Sequence, residues 1–288
     1  MGITVYLDTA LWNDLAEGRV EGSRFEQAVK ARKVVPVLSF IHLMEFAQTN
    51  STYRQAVTDY IDRVIASAEP LWIKPLPPVA KSELTYAFLR FAGIDPGPVK
   101  IFEHALVDVL TAHMPGLDKA EARTYKVTRL VEVMSGLEKF KEHQSFKKDF
   151  VVPQIARLQY LRFGGKLEIS PCDVEYVGNI LADLPGHLTT PNGVTIEILP
   201  EIRGNFLSQL RWEDCPAIEL RVAMMRGLAF GDGRGLPSDF EDLFHVCPAL
   251  AYCDVTFGDK KTYAAIKRGR GSKLPRKNGE FAAWVSSL

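Results

Sequence analysis

The stretch TVYLDTALWNDL, residues 4–15, decides how the rest of the chain is read. Val5-Tyr6-Leu7 is a short apolar run of strand character, and it stops at Asp8. A helix-like segment follows from Thr9 to Gly18, where the glycine ends it. A carboxylate at the tip of a core strand is costly to bury unless a positive partner meets it. The position of Asp8 therefore asks what that partner is.

Working outward, the same grammar repeats. Val34-Val35-Pro36-Val37-Leu38 reads as a second strand, and Ser39 as the N-cap of a helix over Phe40–Gln48. Thr52–Ala68 is helical in pattern, and Leu71-Trp72-Ile73 forms a third short strand. Strand and helix in alternation predict an α/β class, with a parallel sheet covered by helices. After KPLPPVAKS the periodicity is helical from Val79 to about Leu184. Val127, Leu130, Met134 and Leu137 share one face, as do Val151, Ile155 and Leu158. A hairpin is expected around Asn192-Gly193. Ile218, Val222 and Met225 mark one more helix, and GDGRGLPSD breaks the chain. Ser238-x-x-Glu241 then predicts a capping box, with a helix from about Asp239. Cys253–Phe257 reads as the last strand, flanked by Asp254 and Asp259. Residues 1–75 and 232–288 thus predict one discontinuous α/β domain, and 76–231 a large, mainly helical insertion.

Composition fits a globular chain with a sizeable core. Of 288 residues, 47% are hydrophobic and 24% charged, and the net charge is zero. The balance argues against a whole-chain polyanion ligand, but charge is uneven: eight basic residues and no acids lie between Lys260 and Lys277. Cys172, Cys215, Cys247 and Cys253 show no C-x-x-C spacing and read as reduced thiols. The start carries no basic segment of a signal peptide, and the most apolar run, Val34–Ala47, is too short for a membrane span. The expected location is the cytoplasm, with no membrane partner.

The acids gather where an α/β sheet does its chemistry. Ligands of open sheets bind at the carboxyl ends of the strands. Asp8, Glu45, Asp242, Asp254 and Asp259 all fall at strand ends or helix starts. Two carboxylates about 4 Å apart repel by roughly 1 kcal/mol in water and about 4 kcal/mol at an effective dielectric near 20. A divalent cation relieves that repulsion. Hard oxygen donors without clustered Cys or His favour Mg2+ or Mn2+, ions that promote attack on phosphodiesters.

These residues resemble the PIN-domain nucleases. VYLDTALWNDL is similar to their opening strand, VVPVLSFIHLMEFA to their second strand and Glu-bearing helix, and DLFHVCPALAYCDVTFGDKK to their closing acidic signature. The resemblance covers about 130 residues at the two ends. It implies a three-layer α/β/α fold with a short central parallel sheet. It implies metal-binding Asp8, Glu45, Asp242 and Asp259, with Asp254 a further catalytic candidate and Thr9 in support. Asp239 competes with Asp242 as the helix-opening acid, and the D-x-x-H spacing favours Asp242. The activity implied is endonucleolytic hydrolysis of RNA that leaves a 3′-hydroxyl and a 5′-phosphate.

Simpler readings stand beside each assignment. Asp8 alone is an ordinary N-cap, Glu45 a solvated helix residue, Asp242 a favourable charge for a helix dipole, and Asp254 and Asp259 turn residues. His42 and His245 read as interior histidines. Lys260, Lys261, Lys267 and Arg268 follow the acids and are expected to meet phosphates. Tyr263, Phe281 and Trp284 read as core. The insertion fits a lid, a homo-oligomer surface or a dock for a protein partner equally well. Rival functions are a non-catalytic PIN-like module that binds RNA or protein, a nuclease acting on DNA, and a phosphatase of the haloacid dehalogenase class. The last wants a second Asp two residues after the first, where this chain has Ala10.

Overall fold

Val5 and Leu7 join one apolar cluster and Tyr6 another, so the opening strand divides two cores. The computed structural model describes residues 2–48, 51–66, 68–113, 117–124, 130, 133, 187–189, 195–197, 205–206, 208–230 and 237–288. The chain begins with β1 (Ile3–Tyr6), α1 (Thr9–Ala16), α2 (Ser23–Lys30), β2 (Val34–Ser39), α3 (Phe40–Gln48) and α4 (Ser51–Ile65). It continues with β3 (Leu71–Ile73), α5 (Leu76–Phe91), β4 (Phe102–Glu103), α6 (Leu106–His113) and α7 (Lys119–Ala122). Later come β5 (His187–Thr189), β6 (Thr195–Glu197), α8 (Pro216–Ala229) and α9 (Pro237–Tyr252). The end is β7 (Val255–Gly258), α10 (Lys260–Arg268), β8 (Arg276–Lys277) and α11 (Phe281–Ser286).

The fold is α/β, with a mixed six-stranded sheet in the order β4-β3-β2-β1-β7-β8. Neighbours are parallel except β3 and β4, which are antiparallel. The expected all-parallel sheet is corrected at that edge. β4 has two residues, too short to leave a strand pattern in the sequence. It is held beside β3, and Lys74 N donates to Ile101 O at 3.0 Å.

Side-chain alternation assigns the two cores. Val5, Leu7, Val34, Leu38, Trp72 and Phe257 pack with α1–α4, α6 and α11. Tyr6, Val37 and Ile73 pack with α5, α8, α9 and α10. Phe281 lies edge-on to Phe25 and Phe257, which pins α11 to the sheet. Phe281 and Trp284 are core, as the sequence predicts.

Within the stretch 76–231, read from the sequence as a mainly helical insertion, β4 extends the sheet, and α5 and α8 share a core with α9 and α10. The boundaries at 75 and 232 therefore mark no change of core. The reason is that α8 meets α10 backbone to backbone. A Cβ on Gly227 would stand 1.7 Å from Ala265 O, and one on Gly269 1.7 Å from Ala223 O. Glycine at both positions permits this approach. β5 and β6 pair antiparallel on either side of Asn192-Gly193, as expected. Leu130 is buried, whereas Val127, Met134, Leu137, Val151, Ile155 and Leu158 lie outside the described residues. Cys215, Cys247 and Cys253 are buried free thiols, and Cys172 lies outside the described residues. Among the described residues, no helix is long and apolar enough to cross a membrane.

Candidate metal centre

The chain leaves β1 toward β2, and leaves the neighbouring β7 toward β8. Connections that diverge from adjacent parallel strands open a crevice at their carboxyl ends. Asp8 stands two residues past β1, and Asp259 one residue past β7.

Asp8 is not an ordinary N-cap. Its carbonyl accepts from Leu11 N and Trp12 N, but its carboxylate makes no capping bond. That carboxylate accepts instead from Asn278 Nδ2 at 3.4 Å. Burial, followed by the charges of Asp242 and Asp259, pushes its pKa up to about 6, against relief from His245 and Asn278.

Glu45 enters from the middle of α3, whose Phe40, Leu43, Met44, Phe46 and Ala47 face the core. The Thr9 hydroxyl donates to its carboxylate. Burial pushes the pKa of Glu45 up to about 7. His245 and Thr9 counter this, while Asp242 and Asp8 add to it. Asp242 comes from α9, six residues into a helix that starts at Pro237 rather than at 239, so it lies past the expected first turn. The side chain of Asp239 lies outside the described residues. Thr262 Oγ1 donates to Asp242 Oδ2 at 3.0 Å. His245 Nε2 lies 3.5 Å from Asp242 Oδ1.

One carboxylate oxygen each from Glu45 and Asp242, and one ring nitrogen from His245, all lie within 4.8 Å of one another. Such a group could hold a metal ion. Burial is the chief cause of both raised pKa values, and the neighbouring acids add to it. The floor of the group is Tyr6, wholly buried, whose hydroxyl shares a hydrogen bond with His245 Nδ1. Burial and the nearby acids keep that phenol protonated.

The remaining assignments divide. Asp259 does double service: Oδ1 caps α10 through Thr262 N at 2.6 Å, and its charge reaches Asp8. Asp254 is corrected. It accepts from Thr4 N and Thr4 Oγ1, both at 2.8 Å, and so clamps the amino ends of β1 and β7 together, away from their carboxyl ends. Thr4 and Asp8 are four residues apart, about 13 Å in extended chain. Thr9 supports Glu45 rather than reaching outward. Lys260 and Lys261 are exposed at the start of α10, directly after Asp259. Lys267 and Arg268 sit at its far end, about 10 Å along the axis. Arg268 is moreover tied to Gly227 O at 3.0 Å. Neither is brought to the acids, because a helix start and a helix end cannot serve one point. His42 is structural: Ser39 N donates to its Nδ1 at 3.1 Å, and its Nε2 donates to Leu7 O at 2.9 Å.

Sequence reasoning missed Tyr6, Thr262 and Asn278 and left His245 as an interior residue. A D-x-x-H pair on one helix face was the available signal for His245. A lone Asn in RKNGE offers none. Comparison of the chain with protein-family models, with curated proteins and with solved structures finds no match.

Proposed function

We propose that this chain is a divalent-metal-dependent ribonuclease with the PIN-like three-layer plan. The observation that carries the reading is the approach of one carboxylate oxygen each from Glu45 and Asp242 to within 4.8 Å, with Asp8 near enough for its charge to be felt by both. When bound, Mg2+ or Mn2+ supplies the positive charge and Lewis acidity that phosphodiester hydrolysis needs. Glu45 and Asp242 would hold the ion, with Asp8 and Asp259 adding negative charge to the pocket. Thr9 and Thr262 fix the carboxylates of Glu45 and Asp242, so little reorganisation is left for substrate binding. Lys260 and Lys261 meet backbone phosphates at the rim and make binding salt-dependent. RNA is preferred over DNA by family resemblance. The products are a 5′-phosphate and a 3′-hydroxyl.

The test offers single-stranded RNA and single-stranded DNA to the purified chain with Mn2+, Mg2+ or EDTA. RNA cleavage with metal, none with EDTA, and none by Asp8→Asn is the expected result. Equal behaviour of wild type and Asp8→Asn on a broad RNA panel would leave a binding module. Cleavage of DNA alone would move the substrate class.

A further inference from the structure

Resting on that reading, we propose that His245 Nε2 is a ligand of the same ion, and that this nitrogen makes the centre select Mn2+ over Mg2+. His245 lies one turn after Asp242 on α9, so its ring and the carboxylate emerge on one face. The ring is fully buried.

The 3.5 Å between Nε2 and Asp242 Oδ1 is long for an N–H···O bond. It is close to the separation of adjacent ligand atoms on one octahedral ion, roughly 3 Å for bonds of about 2.1 Å. Nδ1 is engaged with the Tyr6 hydroxyl, which also bonds with the Ser39 side chain. Ligation through Nε2 takes the tautomer in which Nδ1–H donates to the phenol oxygen, an arrangement that the Tyr6–Nδ1 contact permits, and it turns the Nε2 lone pair toward Glu45 and Asp242. A metal-bound imidazole is oriented in this way, by a fixed oxygen on its other nitrogen. The neighbouring His42 does not compete, since both its nitrogens serve backbone groups. Mg2+ favours an oxygen shell, whereas imidazole favours first-row transition ions.

The experiment uses the full chain, stripped of metal and titrated with Mn2+. Electron spin-echo spectra are recorded on protein with ordinary and with 15N-labelled histidine. Nitrogen modulation that changes isotope with the label is expected, and its loss in His245→Gln. Calorimetric titrations of Mn2+ and Mg2+ should show the Mn2+ preference falling at least about tenfold in His245→Gln, with the exposed His104→Gln unchanged. Tyr6→Phe should weaken Mn2+ while keeping the nitrogen signal. Bound Mn2+ without nitrogen modulation, or an unchanged preference in His245→Gln, overturns the ligand role and leaves the nuclease reading intact. No Mn2+ binding at millimolar concentration overturns both. Should His245→Gln fail to fold, the wild-type spectra decide alone.

Discussion

Asn278 follows Asp8 by 270 residues, yet its amide nitrogen lies 3.4 Å from the Asp8 carboxylate. The turn after β8 thus completes a pocket opened by the first strand. The bond is long, so its effect is expected to be modest. Asn278→Ala should weaken Mn2+ binding several-fold by calorimetry and leave the thermal midpoint of the metal-free protein within a few degrees. A complete loss of binding would give Asn278 a ligand role that its present geometry does not suggest.

Asp8→Asn should separate stability from activity. A buried acid whose pKa is pushed to about 6 is unfavourable when ionised. At pH 8 without metal, the Asn variant should be more stable than wild type by about 1–3 kcal/mol in urea titrations, while metal-dependent cleavage is lost. Asp254→Ala is the contrasting case. It should lose about 1–2 kcal/mol through the Thr4 clamp and keep metal affinity and cleavage. A drop in metal affinity there would contradict the placement of Asp254 at the far ends of the strands.

The metal-free pocket should also show a defined pH dependence. The ordinary carboxyl values of 3.8 for Asp8 and 4.5 for Glu45 rise to about 6 and about 7 in the fold. Between these limits the folded state binds more protons than the unfolded one, so stability is full below about pH 4 and is lost as the pH climbs to about 7. His42, lowered by burial, pulls the other way below its ordinary value of 6.5. Comparing wild type with Asp8→Asn and Glu45→Gln in EDTA cancels the His42 contribution. Both variants should be the more stable proteins at pH 8, and their advantage should vanish toward pH 4. Saturating Mn2+ should reverse the order at pH 8. An advantage that grows on acidification would refute the assignment.

Glu83 offers a prediction away from the pocket. Wholly buried on α5, it accepts from Ala217 N at 2.7 Å and Ile218 N at 3.1 Å, which caps α8 from another helix. Tyr252 Oη donates to it at 2.6 Å. Burial outweighs these bonds and pushes its pKa to about 7. Glu83→Ala strands two buried backbone donors and the half-buried Tyr252 hydroxyl, and should cost about 2–4 kcal/mol of stability. Mn2+ affinity of the protein that remains folded should be unchanged. A selective loss of affinity would mean that α8 and α9 transmit more to the pocket than their packing suggests.

Gly227→Ala and Gly269→Ala should each force α8 and α10 apart, because backbone stands where the new methyl must go. Rigid overlap of this kind costs typically about 1–3 kcal/mol. α10 also carries the Asp259 cap and Thr262, the donor to Asp242. Both variants should therefore lose Mn2+ affinity along with stability, unlike Glu83→Ala. Wild-type melting curves for either glycine variant would show that the helix pair has slack.

Much was settled by the chain itself. Alternating β-branched runs and capped amphipathic helices fix the α/β class, since period and burial are local properties. β1, β2, β3 and β7 are legible within two residues of their observed ends, as are α1, α3 and the start of α4. Elements with too little apolar signal were not: α2 shows only Phe25, Ala28 and Val29 to the core, and β4 and β8 have two residues each. In the pocket, Asp8, Glu45, Asp242 and Asp259 could be named from their places at strand ends. What the residues cannot encode one at a time is direction. Asp254 and Asp259 flank the same strand, but parallel pairing sends one to each end of the sheet. Tyr6, His245 and Asn278 become neighbours of the acids only when strand order brings β1, α9 and the segment after β8 together. Side-chain periodicity is a local property, while electrostatic convergence depends on contacts between residues up to 270 positions apart.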